Sequence, residues 1–205
     1  MELEMFKETR ATVYDGRGGI DGHDMAPRGA PPQAFLLRLC AWGFDAPADI
    51  FAVNDNAADI YVTVKPHLAP SGWRDAMHRR CVMLEVLRVL AGAESSWRWD
   101  RGRDVTNPNT DNPINEETGI FQVSADSMAF GAELRNLVKS RLGNDNANTF
   151  IRGMKVDYWL AFEYTARLLR RTIRHHGPVK RGEILPWLRI GAVEEFRKIL
   201  TDFSK

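Results

Sequence analysis

The residues best suited to do chemistry lie in two short segments. The first is Ala91-Gly92-Ala93-Glu94-Ser95-Ser96-Trp97, where an acidic side chain ends a long apolar stretch and Trp97 and Trp99 follow it. A carboxylic acid held against apolar or aromatic groups stays protonated near neutral pH, because burial penalises the charged form. Such a group can protonate a leaving oxygen, the step that glycoside cleavage requires. The second segment, Glu117-Thr118-Gly119-Ile120-Phe121-Gln122-Val123-Ser124, sets one amide, Gln122, inside an apolar run. That pattern suits a polar group facing a cleft from otherwise buried chain. Taken singly, a Glu at a helix end is an ordinary solvated residue, Gln122 is a loop bridge, and Trp97 and Trp99 are as readily core as sugar-stacking platforms.

The elements that must position these groups are mainly helical. After Pro70, Ser71 offers an N-cap, and a helix is predicted from about Trp73 to Glu94. Arg74, His78, Glu85 and Arg88 fall on one narrow polar stripe, while Met77, Cys81, Val82, Leu84, Val86, Leu87, Val89 and Leu90 cover the remainder, so the helix is central and packed on most sides. Its small last turn leaves space beside Glu94. Further helices are expected at Glu133 to Leu142, closed by Gly143, at Val156 to His175, stopped by Gly177-Pro178, and at Pro186 to Phe203. The last carries Trp187, Ile190, Val193, Phe196 and Leu200 inward.

Ahead of this part, Asp15 to Gln33 is dense in Gly and Pro and reads as loop or linker. Ala34 to Trp42 is consistent with a short buried helix. Ile60, Val62 and Val64 alternate with Tyr61, Thr63 and Lys65 as a strand should. The expected organisation is a small N-terminal α+β extension over residues 1–70, then one helical domain over 71–205. Asp100 to Asn115, polar and rich in turn residues, reads as a surface loop.

The 205-residue chain allows one sizeable core. Apolar and charged fractions of 44% and 27% are ordinary for a globular protein, and a net charge of +1 gives no reason to expect nucleic acid. No apolar run is long enough to span a bilayer, and Met1 to Arg10 lacks the basic start and apolar stretch of a secretory signal. Cys40 and Cys81 are read as buried thiols, with a single disulfide as the alternative. The Asp and Asn residues of the polar loop do not match a calcium loop, and His175-His176 lack the spacing that puts two imidazoles on one helix face. Neither metal nor organic cofactor is expected. Arg167, Arg170, Arg171 and Arg174 form a basic face, read as solvated and helped by Glu163 four residues before Arg167.

In this order and at this distance, the Glu94 and Gln122 segments resemble the signature shared by goose-type lysozymes and lytic transglycosylases. The resemblance runs from about Trp73 to Leu200. It implies a lysozyme-like helical domain that cuts peptidoglycan strands at the β-1,4 bond between N-acetylmuramic acid and N-acetylglucosamine, with Glu94 as general acid and then general base. Ser95, Trp97, Gln122 and Ser124 would line the sugar cleft. Where the family has an Ala-Tyr-Asn-Gly-like segment, this chain has Leu185 to Gly191, with Trp187 for the Tyr and Leu188 for the Asn. Tyr158 or Tyr164 is left as a replacement tyrosine, or none.

Goose-type enzymes carry an Asp closely after the Gln-Val pair, and here that place is Ser124. Glu117 is the first candidate for a second carboxylate, ahead of Asp100, Asp104 and Asp126. With such a group the resemblance implies a hydrolase, and without it a transglycosylase that leaves an anhydro product. A non-catalytic glycan-binding protein of the same fold is the alternative from another class. Because that substrate lies outside the cytoplasm, delivery by a specialised secretion or phage-type route is expected, with a delivery or immunity protein as partner.

Overall fold

A computed structural model of the protein describes residues 30–103 and 111–202. It is mainly helical, as expected from the sequence. Seven α-helices lie among the described residues: α1 (Gln33–Asp45), α2 (Ile60–Leu68), α3 (Ala76–Ser95), α4 (Ala132–Leu142), α5 (Ala147–Val156), α6 (Tyr158–Leu169) and α7 (Ile190–Asp202). The one β-pairing among them is an isolated antiparallel bridge between Thr118 and Val123.

Helix α3 is the centre. Thirteen of its 20 residues are buried, so other elements wrap it on most sides. Helices α1, α6 and α7 all pack on it. Its N-cap is Asp75, four residues beyond the expected Ser71, because the Asp75 carboxylate takes the His78 amide at 2.6 Å and also pairs with Arg197 of α7 at 2.6 Å. The polar stripe of α3 faces protein. Glu85 is fully buried, held by Arg88 through two bonds of 2.6 Å, and it accepts the Arg189 amide at 2.9 Å just before α7.

The segment expected to be a strand is helix α2. Alternation would place Ile60, Val62 and Val64 on one face, yet Val62 is 54% exposed while Ile60, Tyr61, Val64 and Leu68 are buried at helical spacing. Asp59 decides it. Its carboxylate caps the helix through the Tyr61 amide at 3.1 Å and meets the Arg170 guanidinium at 2.8 Å. Tertiary burial and a cap override the β-branched composition.

The helix expected from Val156 to His175 breaks at both ends. Asp157 interrupts it by capping α6 through the Leu160 amide at 3.1 Å and by pairing with Arg141 at 2.6 Å, which leaves Val156 79% exposed at the end of α5. At the other end α6 stops at Leu169, because Arg170 turns inward. Its guanidinium bonds Asp59 and the carbonyls of Asp49, Ile50 and Ala52 at 2.6 to 3.0 Å. The face expected to be solvated is so only in part: Arg171, paired with Glu133, and Arg174 are exposed, whereas Arg170 is buried and Arg167 joins Asp49 and Glu163. The expected Glu163–Arg167 pair is present.

Helices α1 and α4 fall where the sequence places them, and Gly143 closes α4 in the left-handed region. Helix α7 starts at Ile190, later than expected. It buries Val193, Phe196 and Leu200 but leaves Ile190 47% exposed. Cys40 and Cys81 are free and buried, and burial pushes both thiols up to about 12. Among the described residues no helix is long and apolar enough to cross a membrane. Most of the Gly/Pro-rich stretch, part of the polar loop including Asp104, and Phe203 lie outside the described residues.

Two outcomes test these contacts. Arg170→Ala leaves Asp59 buried without its cation and should cost about 3–5 kcal/mol, measured as a fall in the urea unfolding free energy. Asp75 gives a pH dependence: the Arg197 guanidinium bonded to it holds its carboxyl down at about 2. A depressed folded value means stability present above the ordinary carboxylate range of about 4 and lost as pH falls through about 2. Asp75→Asn should therefore flatten the decline of the urea midpoint across that window.

Candidate active site

The site begins where α3 ends. Ser96 and Trp97 both have positive φ, 54° and 58°, and their amides close the helix onto Gly92 and Ala91 at 3.1 Å each. This reversal carries the Trp97 ring back over the last turn. A Cβ on Gly92 would come within 2.6 Å of Trp97 Cζ2, so the small residue there is a seat for the indole. The indole N–H donates to the Arg88 carbonyl at 2.9 Å and the side chain is buried. Trp97 therefore seals the helix end. Trp99 is half-buried, edge-on to Phe162 at 5.5 Å, with Arg38 lying 5.6 Å from its centroid.

The second segment folds as a four-residue hairpin. Thr118 and Val123 exchange amide bonds of 3.0 and 3.2 Å around Gly119, Ile120, Phe121 and Gln122. Gly119 is required twice over: its φ is +70°, and a Cβ would stand 2.7 Å from the Met154 carbonyl oxygen of α5. Gln122, at φ 46°, closes the turn with its side-chain amide on the Gly119 carbonyl at 2.8 Å. Ile120 and Phe121 point into the core.

Ser95 joins the two segments. Its hydroxyl bonds the Ile120 carbonyl at 2.8 Å and accepts the Arg98 amide at 3.1 Å. The residue is buried, so this side chain fixes the helix end against the hairpin. Among the described residues, every non-glycine with positive φ, namely Ser96, Trp97 and Gln122, belongs to these two segments. Sparsely populated backbone of this kind persists only where surrounding structure over-determines it, and it clusters at functional sites.

Glu94 is half-buried. A Cβ on Gly177 would lie 2.8 Å from its Oε1, so the carboxylate sits against the backbone of a distant loop. Gly177 has φ +45°, outside the range ordinary side chains adopt. Arg181 belongs to the same loop. Its guanidinium is held above the ordinary arginine range by its bonds to Glu183 and, to a lesser degree, by the field of Glu94. The sequence pattern marked Gly177-Pro178 only as a helix stop and did not single out Arg181.

The remaining predicted residues are distributed around this centre. Glu117 is half-buried at the head of the hairpin. Ser124 follows the hairpin and its hydroxyl donates to Asp126, an exposed carboxylate. Tyr164 is fully buried in α6, bonded to Ser127 at 2.6 Å, and desolvation pushes its phenol upward. Ser127 in turn donates to the Ser124 carbonyl at 2.6 Å, so Tyr164 supports the hairpin exit from beneath. Trp187 is half-buried, and its carbonyl accepts from Arg88 at 3.3 Å. Asp100 is exposed beside Arg98.

A concavity of about 340 Å³ lined by Phe44, Phe51 and Met77 sits by the first turn of α3, the opposite end of the helix from Glu94. Among the described residues no cluster of three or more His, Cys, Asp or Glu is arranged to hold a metal. No protein-family model, curated protein or solved structure matches the chain.

The Ser95 bond has a measurable consequence. Ser95→Ala withdraws a donor from the buried Ile120 carbonyl and should cost about 1–3 kcal/mol. Amide hydrogen exchange should accelerate more at Gly119 to Val123 than in α1 or α7, and uniform acceleration would argue against the local link.

Proposed function

We propose that this chain is a lysozyme-like glycosidase that cleaves peptidoglycan strands at the β-1,4 bond between N-acetylmuramic acid and N-acetylglucosamine. Glu94 acts first as general acid on the leaving oxygen and then as general base. The observation that carries the reading is the union of the two signature segments. Ser95, next to Glu94, is bonded to the Gly119–Gln122 turn at 2.8 Å, and among the described residues the non-glycine residues of positive φ all fall in those segments. Two stretches of chain separated by a polar loop are thereby held as one unit around a half-buried carboxyl.

In this reading the backbone of Gly177 fixes the Glu94 carboxyl on one side, and Trp97 closes the helix end beneath it. Glu117 supplies the second carboxylate, which activates water on the opposite sugar face. A transglycosylase outcome is favoured by Ser124, which presents a neutral hydroxyl two residues after Gln122 where goose-type lysozymes carry an acid. The protein reaches the cell wall with the help of a delivery partner, and a producer cell holds an immunity protein against it.

Purified peptidoglycan is the test substrate. Wild type should release muropeptides, and Glu94→Gln should lower turnover by about a hundredfold or more, the range for loss of a general acid. Equal, undetectable release by both would sink the catalytic reading. Mass spectrometry divides the two chemistries: reducing ends mean hydrolysis, and anhydro-muramic ends mean transglycosylation. Glu117→Gln should suppress reducing-end products if Glu117 is the second carboxylate.

A further inference from the structure

The loop that touches Glu94 has a construction of its own. Val179 and Ile184 are buried in the core, and His176 is fully buried with its Nε2 at 2.8 Å from the Leu169 carbonyl. Between these anchors the backbone is cross-tied: Val179 N–H to His176 at 2.8 Å, Arg181 to Gly177 at 3.2 Å, Gly182 to Val179 at 3.0 Å and Glu183 to Pro178 at 2.8 Å. Gly177 and Gly182 supply the positive φ values that let the chain coil this tightly. The result is a fixed turn with its first glycine against the Glu94 carboxylate and Arg181 one backbone hydrogen bond away.

Arg181 is 58% exposed and paired with Glu183 at 2.6 Å, and Lys180 and Glu183 are exposed on the same turn; of the two cations, Arg181 is the one this pair holds in place. A surface pair between residues two apart contributes little to stability, so stability does not account for an arginine here. Nor does acid catalysis: a cation beside a general acid works against protonation. The chemistry that a fixed, exposed guanidinium does serve is planar recognition of a carboxylate. Its bonds to Glu183 use Nε and Nη2 of a group that carries five N–H donors.

We propose that Arg181 is a substrate-binding residue that takes a carboxylate of the peptide stems of peptidoglycan beside Glu94, on a wall formed by Gly177 to Glu183; this rests on the peptidoglycan reading of the Glu94 site. Glu183 holds the guanidinium in place until the substrate anion engages it. Stem carboxylates are what distinguish the wall polymer from neutral N-acetylglucosamine chains, so the residue selects for the natural polymer.

Binding of the Glu94→Gln protein to insoluble peptidoglycan, measured by co-sedimentation, tests this without turnover. The same wall with its stem carboxylates amidated is the control. Arg181→Ala in that background should weaken binding to native wall by about tenfold to a hundredfold, the scale of one charge-assisted contact. Amidation should weaken the Arg181-containing protein equally and leave the Arg181→Ala protein unaffected. Arg181→Lys should recover part of the loss. The proposal is overturned if the Arg181-containing protein does not sediment with native wall, if Arg181→Ala binds native wall normally, or if it weakens binding to native and amidated wall alike. It also falls if Arg181→Ala shifts only the pH profile of wild-type turnover, identically on both substrates, since the arginine would then act on Glu94 alone. Absence of turnover in wild type, with the binding pattern intact, would refute the catalytic role of Glu94 and leave Arg181 as a wall-binding residue.

Discussion

The buried ion pair between Arg170 and Asp59 is the constraint on which the other features depend. An isolated guanidinium in the core would be prohibitive, and a lone ion pair there is often no better than apolar packing. Here the pair is saturated. The guanidinium meets Asp59 and three carbonyls of the 49–52 turn, with the Tyr61 ring 5.2 Å from its centre. The same Asp59 caps α2. One side chain at the end of α6 therefore takes carbonyls of the 3-10 turn Ala48–Phe51 and of Ala52, braces the carboxylate that caps α2 and ends the helix it belongs to.

Ending α6 there matters for the site. The chain after Leu169 turns through Thr172, whose hydroxyl accepts the Arg174 amide at 3.1 Å, and enters the core again at His176. Had the helix run on to His175, as its apolar spacing suggests, continuous helix would occupy the stretch that makes this return. Instead His176 bonds back to the Leu169 carbonyl, and Gly177 arrives against Glu94. The candidate acid is thus gripped between the C-terminus of α3 and a loop whose course is set at the far end of α6.

How far the sequence exposes this depends on the range of the contacts. The central helix and its apolar character were legible, because each is a local pattern of side chains; the association of the Glu94 and Gln122 segments came from the family resemblance and from neither pattern alone. The caps at Asp75 and Asp157 were not. Each Asp is chosen over nearby alternatives by an arginine distant in sequence, Arg197 and Arg141 respectively. Helix α2 shows the same limit: alternating Ile60, Val62 and Val64 carry a genuine strand signal, overturned by burial of Tyr61 and the Asp59 contact. Trp97, readable as core or as sugar platform, is buried and bonded to Arg88, since an aromatic near an acid has the same spacing whether it stacks on substrate or on its own helix; Tyr164, left as a replacement tyrosine, is buried and bonded to Ser127. Gly177 and Arg181 reach Glu94 only through the return of the chain, which no local pattern records.

The placement of Arg181 bears on how Glu94 would hold its proton. Trp97 lays its indole on the last turn of α3 at Gly92, and the Gly177 backbone lies against the Glu94 carboxylate. The Arg181 guanidinium belongs to the same loop and feels the field of Glu94. A substrate carboxylate seated on Arg181 would offset that cation, and the sugar would exclude water from the same side. On the proposed reading, both changes push toward the protonated acid at the moment a leaving oxygen is in place. Selection of the anionic polymer and relief of the Arg181 field at the acid would then be two consequences of one contact, and a neutral glycan, which shares only the exclusion of water, would lack both.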